Sequence, residues 1–109
     1  MYKQGEVVLI KMHPSSGTEL KRFRPAIIVQ YYSPRDFVTF IPLSSQINKI
    51  TQDEIIVEPS KSNGLEKNSL ALCWYVQTVG AQRIQKTIGR LDTSDNKHIS
   101  LITKKYLKL

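Results

Sequence analysis

The sequence predicts a mostly β fold, a small antiparallel sheet or partly open barrel, closed by one C-terminal helix. Three observations carry this. Short runs rich in β-branched and aromatic residues recur along the chain, each bounded by Gly, Pro, Asn, Asp or Ser. Helical spacing marks the last segment, where Ile99, Ile102, Tyr106 and Leu109 recur at intervals of three and four. With 109 residues and 40% apolar content, residues 1–109 form a single domain with a real core.

The elements follow in order. Val7–Ile10 is a first strand, led in by Gly5-Glu6 and stopped by His13-Pro14. Pro14 to Arg24 has no periodicity and many turn residues, so it is a long loop, a feature often functional in small domains. Pro25 opens a second strand, reaching Tyr32, at a position where its missing N–H breaks no central ladder bond. Ser33–Asp36 is a turn and Phe37–Leu43 a third strand, pairing with the second as an antiparallel hairpin.

Ser44–Asn48 reads as a short helical turn, Glu54–Val57 as a short strand, and Lys61–Gly64 as a turn. Leu70–Val76 is apolar on both faces and so a central strand. Gln85–Leu91 adds another, with Gly89 marking a bulge or a close approach. Asp92, Thr93 and Ser94 are N-cap candidates for the terminal helix. Its lysines, Lys97, Lys104, Lys105 and Lys108, lie off the apolar stripe and read first as a solvated face.

The formal charge of +7 favours an acidic partner: nucleic acid, an acidic protein or an anionic membrane. The longest apolar run has seven residues, against the ~18 that a membrane span needs, and the N-terminus lacks the apolar core of a signal peptide. One cysteine, Cys73, excludes an internal disulfide. Together these imply a cytoplasmic protein with no membrane role.

Cys73 lies in the most apolar strand and reads as a small core residue rather than a nucleophile. His98 reads as a surface residue, and His13 as a turn residue near the long loop. No Cys/His cluster has zinc-ligand spacing, no paired acids suggest a metal, and no glycine-rich loop suggests a nucleotide, so neither cofactor nor metal is expected.

Arg24, Ser44 and Glu19 remain, with Ser45 and Gln46 adjacent. Arg24 precedes the second strand as Ser44 follows the third, so an antiparallel hairpin brings them together. A guanidinium and a hydroxyl on one rim make a phosphate clamp. A plainer reading has Ser44 and Ser45 capping the next turn and Arg24 pairing with Glu19. Residue chemistry alone favours the plainer one.

Several segments resemble the MazF/PemK toxins. The opening Gly5-Glu6-Val7-Val8-Leu9-Ile10, the loop Pro14-Ser15-Ser16-Gly17-Thr18-Glu19 and the strand Arg24-Pro25-Ala26-Ile27-Ile28-Val29 are similar to that family's first three motifs. Ile41-Pro42-Leu43-Ser44-Ser45-Gln46 is similar to its Pro-hydrophobic-Thr-Ser/Thr-Gln segment. Gly64-Leu65 to Leu72, Gln77-Thr78-Val79 and Ile88-Gly89-Arg90-Leu91 follow in the family's order, so the resemblance spans essentially the whole chain.

The resemblance implies an SH3-like barrel of five to seven strands in a homodimer. It implies a metal-independent, sequence-specific endoribonuclease acting on single-stranded RNA or mRNA, and an antitoxin whose acidic tail occupies the RNA groove. In the implied chemistry a ribose 2′-hydroxyl attacks the adjacent phosphate. Arg24 stabilises the developing charge, Ser44 hydrogen-bonds the phosphate where most members have Thr, and Glu19 orients Arg24 or moves a proton. RNA contacts fall to Lys21, Arg22, Ser45, Gln46, Trp74, Tyr75 and Gln77.

The chain also departs from the family. Trp74-Tyr75 stands where many members carry Asp-Gln, with Leu72 in place of an Arg two residues earlier. Gln77 replaces the Arg before Thr-Val, and Gly80 replaces an Asp. The mechanistic variant that uses the late-strand acid is therefore closed, while Trp74 and Tyr75 offer stacking surface for a base. The competing class is a catalytically weak RNA- or antitoxin-binding module. A third, the CcdB-like gyrase poisons, depends on a C-terminal Trp-Gly-hydrophobic ending, which Tyr106-Leu107-Lys108-Leu109 does not match.

Overall fold

A computed structural model describes residues 1–12 and 23–109. Among the described residues are seven antiparallel strands and one α-helix: β1 (Glu6–Ile10), β2 (Arg24–Tyr32), β3 (Phe37–Ser44), β4 (Glu54–Val57), β5 (Ser69–Leu72), β6 (Gln77–Gly80), β7 (Ile84–Arg90) and α1 (Thr93–Leu107). The strand order is β4-β5-β3-β2-β1-β7, with β6 added on β3. His13, Glu19, Lys21, Arg22 and most of the expected loop lie outside the described residues.

Val7–Ile10, Pro25–Val29 and Phe40–Leu43 are unbroken apolar runs because both faces of the sheet are buried there. Val7, Ile27, Ile41 and Leu43 enter one cluster with Val57, Cys73 and Ile99. Their strand neighbours Val8, Ile28, Phe40 and Val38 enter a second, with Val79 and Ala81. Alternate side chains point to opposite faces, so these stretches must be apolar at consecutive positions to fill two cores.

Strand β3 pairs with β2 on one edge and shares its other edge between two partners. Phe37–Phe40 pair with β6, whereas Leu43 and Ser44 pair with β5. Pro42 falls in the gap between them, where a residue with no N–H to donate fits. That exchange of partners corrects the single strand expected over Leu70–Val76. The chain turns after Leu72: Cys73 N–H donates to Asp53 O at 3.1 Å, and Tyr75 N–H donates to Leu72 O at 2.9 Å. An apolar run signals burial, but here only Cys73 is buried in the turn, while Trp74 is exposed and Tyr75 and Val76 are half-buried.

In that turn the Trp74 and Tyr75 rings stack, with centroids 5.1 Å apart and planes 6° from parallel. The indole Nε1–H donates to Glu54 Oε2 at 2.7 Å, and this bond is the main cause that holds the Glu54 carboxyl below its ordinary value.

Two further expectations change. Ser44–Asn48 forms no helical turn. Ser44 ends β3, and its Oγ accepts the Gln46 N–H at 3.1 Å, which closes a side-chain turn in place of a backbone one. On α1 the apolar stripe is only half buried. Ile99 is buried and Ile102 packs on the core, but Tyr106 is 44% exposed and Leu109 82%. Thr103 is buried instead, because Asn96, Ile99, Ser100, Thr103 and Leu107 face β2. Asp92 holds the N-cap position without a side-chain capping bond.

The segment between β4 and β5 is pinned by Asn63, which is fully buried. Asn63 Oδ1 accepts from the N–H groups of Ser60 (3.1 Å) and Leu65 (3.0 Å), while Nδ2 donates to Glu58 O at 2.9 Å. Against this loop lies Gly89, where a Cβ would come within 2.4 Å of Ser62 O. The β1–β7 register also slips here, pairing Val7 with Gly89 but Val8 with Thr87. Both roles expected of that glycine, bulge and close approach, are present.

Asn63→Ala leaves three backbone groups without partners, each costing about 1–3 kcal/mol when buried. A drop in melting temperature of at least several degrees is expected by calorimetry, at roughly 4–8 °C per kcal/mol. Gly89→Ala should also lower it, by overpacking against the Asn63 loop.

Trp74 is the sole tryptophan, so its fluorescence reads the Glu54 bond. Because the folded-state pKa is lowered, the bond's contribution is present above the unfolded-state value and lost as pH falls through the folded one. The emission should titrate with a midpoint below that of an ordinary glutamate, and Glu54→Gln should abolish that transition.

Candidate functional site

Arg24 is the first residue of β2, exposed, with its backbone aligned to Ile10 of β1. On the other edge Ala26 pairs with Pro42, and the same register carried two residues on brings Arg24 level with Ser44. The antiparallel hairpin thus sets the start of β2 beside the end of β3.

Leu9 of β1 pairs with Pro25 on one side and with Lys86 of β7 on the other. The strands here floor an open groove of about 750 Å³. Phe23, just before β2, lines it with Arg24 and Pro25 of that strand, Leu43 of β3 with Ser45 just after it, and Lys86, Thr87 and Ile88 of β7. Gly64, Leu65, Glu66, Lys67 and Ser69 form the remaining wall. Its charged lining among the described residues is three cations, Arg24, Lys67 and Lys86, and one carboxylate, Glu66. A volume in the range of ligand sites with an excess of positive charge suits an anionic ligand.

The groove wall is rigid. Gly64 adopts φ +72° and packs on the Ile88 carbonyl, where any Cβ would come within 2.1 Å of the oxygen. Leu65 is buried in the core next to it, and Asn63 pins the loop from within. Glu66 and Lys67 therefore project from a fixed base.

Of the residues singled out in the sequence, the structure brings Arg24 and Ser45 to this groove. Ser44 is half-buried beside it and is not among the lining residues, and its Oγ is engaged by the Gln46 N–H. Gln46 is exposed next to Ser45. Gln77 pairs with Phe40 on β6, and Trp74 and Tyr75 stand in the β5–β6 turn, so none of the three lines the groove.

Phe23, Glu66, Lys67, Ser69 and Lys86 were not singled out. Lys86 alternates with its neighbours as any exposed strand residue would, and only the β1–β7 pairing brings it beside Leu9. Cys73 is buried, and burial pushes its thiol up, away from nucleophilic use. Among the described residues no group of three or more His, Cys, Asp or Glu side chains could hold a metal, and no helix is long and apolar enough to cross a membrane.

Residues 3–105 match the family described as PemK-like, MazF-like toxin of type II toxin-antitoxin system. The chain is 22% identical over 117 residues to the endoribonuclease MazF9 of Mycobacterium tuberculosis, covering all of this chain and 98% of that protein. It is 28% identical over 95 residues to the endoribonuclease EndoA of Bacillus subtilis, covering 83% of this chain and 80% of EndoA. Among solved structures, an endoribonuclease in complex with its cognate antitoxin, from a mycobacterial species, superposes with a TM-score of 0.77 at 16% identity. That superposition covers 100% of this chain and 97% of the other. The seven-stranded sheet with its C-terminal helix is thus a fold this chain shares, and the sequence belongs to the PemK-like, MazF-like toxin family of type II toxin–antitoxin systems.

Proposed function

We propose that this protein is an endoribonuclease toxin that cuts single-stranded RNA in the groove headed by Arg24. The observation that carries the reading is the convergence of Arg24, Lys67 and Lys86 on one open groove. The names of the two relatives, both endoribonucleases, support it.

In this reading the ribose 2′-oxygen bonds to the adjacent phosphorus as the bond from phosphorus to the 5′-oxygen breaks. The 2′-hydroxyl loses its proton and the departing 5′-oxygen gains one, leaving a 2′,3′-cyclic phosphate and a 5′-hydroxyl. Arg24 presents its planar fork of donors to the phosphoryl oxygens as charge builds there, and delivers the proton to the leaving oxygen. Ser44 Oγ already accepts from Gln46 N–H, so its own hydrogen remains to donate to the phosphate. Glu19 is assigned the orienting or proton-accepting role, and Lys21 and Arg22 join the phosphate contacts. Ser45 and Gln46 meet the RNA beside Ser44.

The β5–β6 turn and the start of β6 take a different part. Trp74, Tyr75 and Gln77 lie away from the groove lining, so any contact they make is with RNA that extends past it. This arrangement favours a second reading, a module that binds RNA and cuts poorly. Release of cyclic-phosphate ends from a long single-stranded RNA separates the two.

The protein is further proposed to work as a cytoplasmic homodimer, opposed by a cognate antitoxin. The groove's net positive charge suits an acidic antitoxin segment laid over the same residues as the RNA.

The reaction uses side chains alone, so cleavage should persist in excess EDTA. Loss in EDTA with recovery in magnesium would sink the scheme. Arg24→Lys keeps the charge but loses the fork, and should cut the single-turnover rate by about 10²–10³ with little change in RNA affinity. Ser44→Ala should cost less, and Ser44→Thr should be tolerated. An unchanged rate in folded Arg24→Ala removes Arg24 from the site.

Neutralising Lys67 or Lys86 should weaken RNA binding and lower its salt dependence by roughly 0.7 in log–log slope per lost contact. A salt-independent affinity would detach the groove from RNA binding.

A further inference from the structure

A carboxylate in a groove built for a polyanion needs a reason. Glu66 is the one acidic side chain among the described residues lining the groove, and its neighbours there include Arg24, Lys67 and Lys86. Beside phosphates it is repulsive, so it weakens non-specific binding. The backbone leading into it is anchored: Leu65 before it is buried in the core, and Gly64 and Asn63 hold the loop against β7 and β4, while the Glu66 side chain itself is exposed. A repulsive group on a pinned wall is costly unless it makes a directed contact.

An ionised carboxylate only accepts hydrogen bonds. The bases differ sharply in what they offer such a group. Guanine presents two adjacent donors on its Watson–Crick edge, N1–H and the N2 amino group, matching both carboxylate oxygens. Adenine and cytosine each set one amino donor beside an acceptor nitrogen, which repels the second oxygen. Uracil flanks its single N–H with two carbonyls. Single-stranded RNA exposes these edges for reading. Phe23, 39% exposed in the same groove, offers a ring on which a base can stack.

We propose that Glu66 is a specificity-determining residue of this groove, reading the Watson–Crick edge of a guanine. The inference rests on the RNA-groove reading above, but its test does not depend on cleavage. The full-length protein is incubated with a randomised 2′-fluoro RNA pool, which lacks the attacking hydroxyl, and the bound molecules are sequenced. Guanine should be enriched at one position of the bound motif by roughly ten- to a hundredfold, the range for a bidentate base contact.

Glu66→Gln keeps the shape and the fold but removes the charge and one acceptor. It should lose the guanine enrichment while total RNA affinity stays level or rises. No guanine enrichment with the wild-type protein, or the same enrichment with Glu66→Gln at an unchanged melting temperature, overturns the proposal. A guanine motif that depends on Glu66, without cleavage of ordinary RNA, upholds the base reader and overturns the nuclease reading alone.

Discussion

Strand β2 is hydrogen-bonded along both edges, to β1 and to β3, and the groove hangs on that pairing. Arg24 opens a strand whose centre is fully enclosed, with Ala26, Ile27 and Ile28 within 1% of full burial. A residue-by-residue slip of β2 would send each of these side chains to the wrong core. Two cores, one on each face, therefore lock the register doubly, and the guanidinium inherits that precision. Loops supply chemistry most effectively when a rigid scaffold aims them. Here the scaffold begins at Arg24 itself.

The far wall is held by a different device. Polar rather than apolar contacts fix it: one buried asparagine satisfies three backbone groups, and a glycine on β7 admits the loop at close range. The groove is thus bounded on one side by strand register and on the other by a hydrogen-bonded loop. The two sides respond differently to solvent and temperature, since apolar burial and hydrogen bonding do so.

Much of this was legible from the residues, and the misses have causes. Val7–Ile10, Pro25–Tyr32 and Phe37–Leu43 announced themselves by β-branched runs, and their hairpin order alone set Arg24 beside the end of β3. Leu70–Val76 misled because hydrophobicity is silent about direction: the chain turns at Cys73 and Trp74, leaving the cysteine in the core and the tryptophan exposed. The helix stripe misled because Thr103, a polar residue, occupies the buried angle where an aliphatic one was expected. Lys67, Lys86 and Glu66 escaped notice since their meeting depends on the strand order β3-β2-β1-β7, which no local pattern encodes.

Cys73 is the chain's one thiol, with no exposed surface, seated in the core cluster that also receives Ile27, Ile41 and Ile99. Burial holds it in the protonated, unreactive form. A thiol in that position reaches an alkylating reagent only when the cluster opens. Its labelling rate is consequently a clock for the opening of that core, read from the unmodified sequence. Anything that closes over the folded state, RNA or antitoxin, would slow the clock in proportion to how tightly it holds.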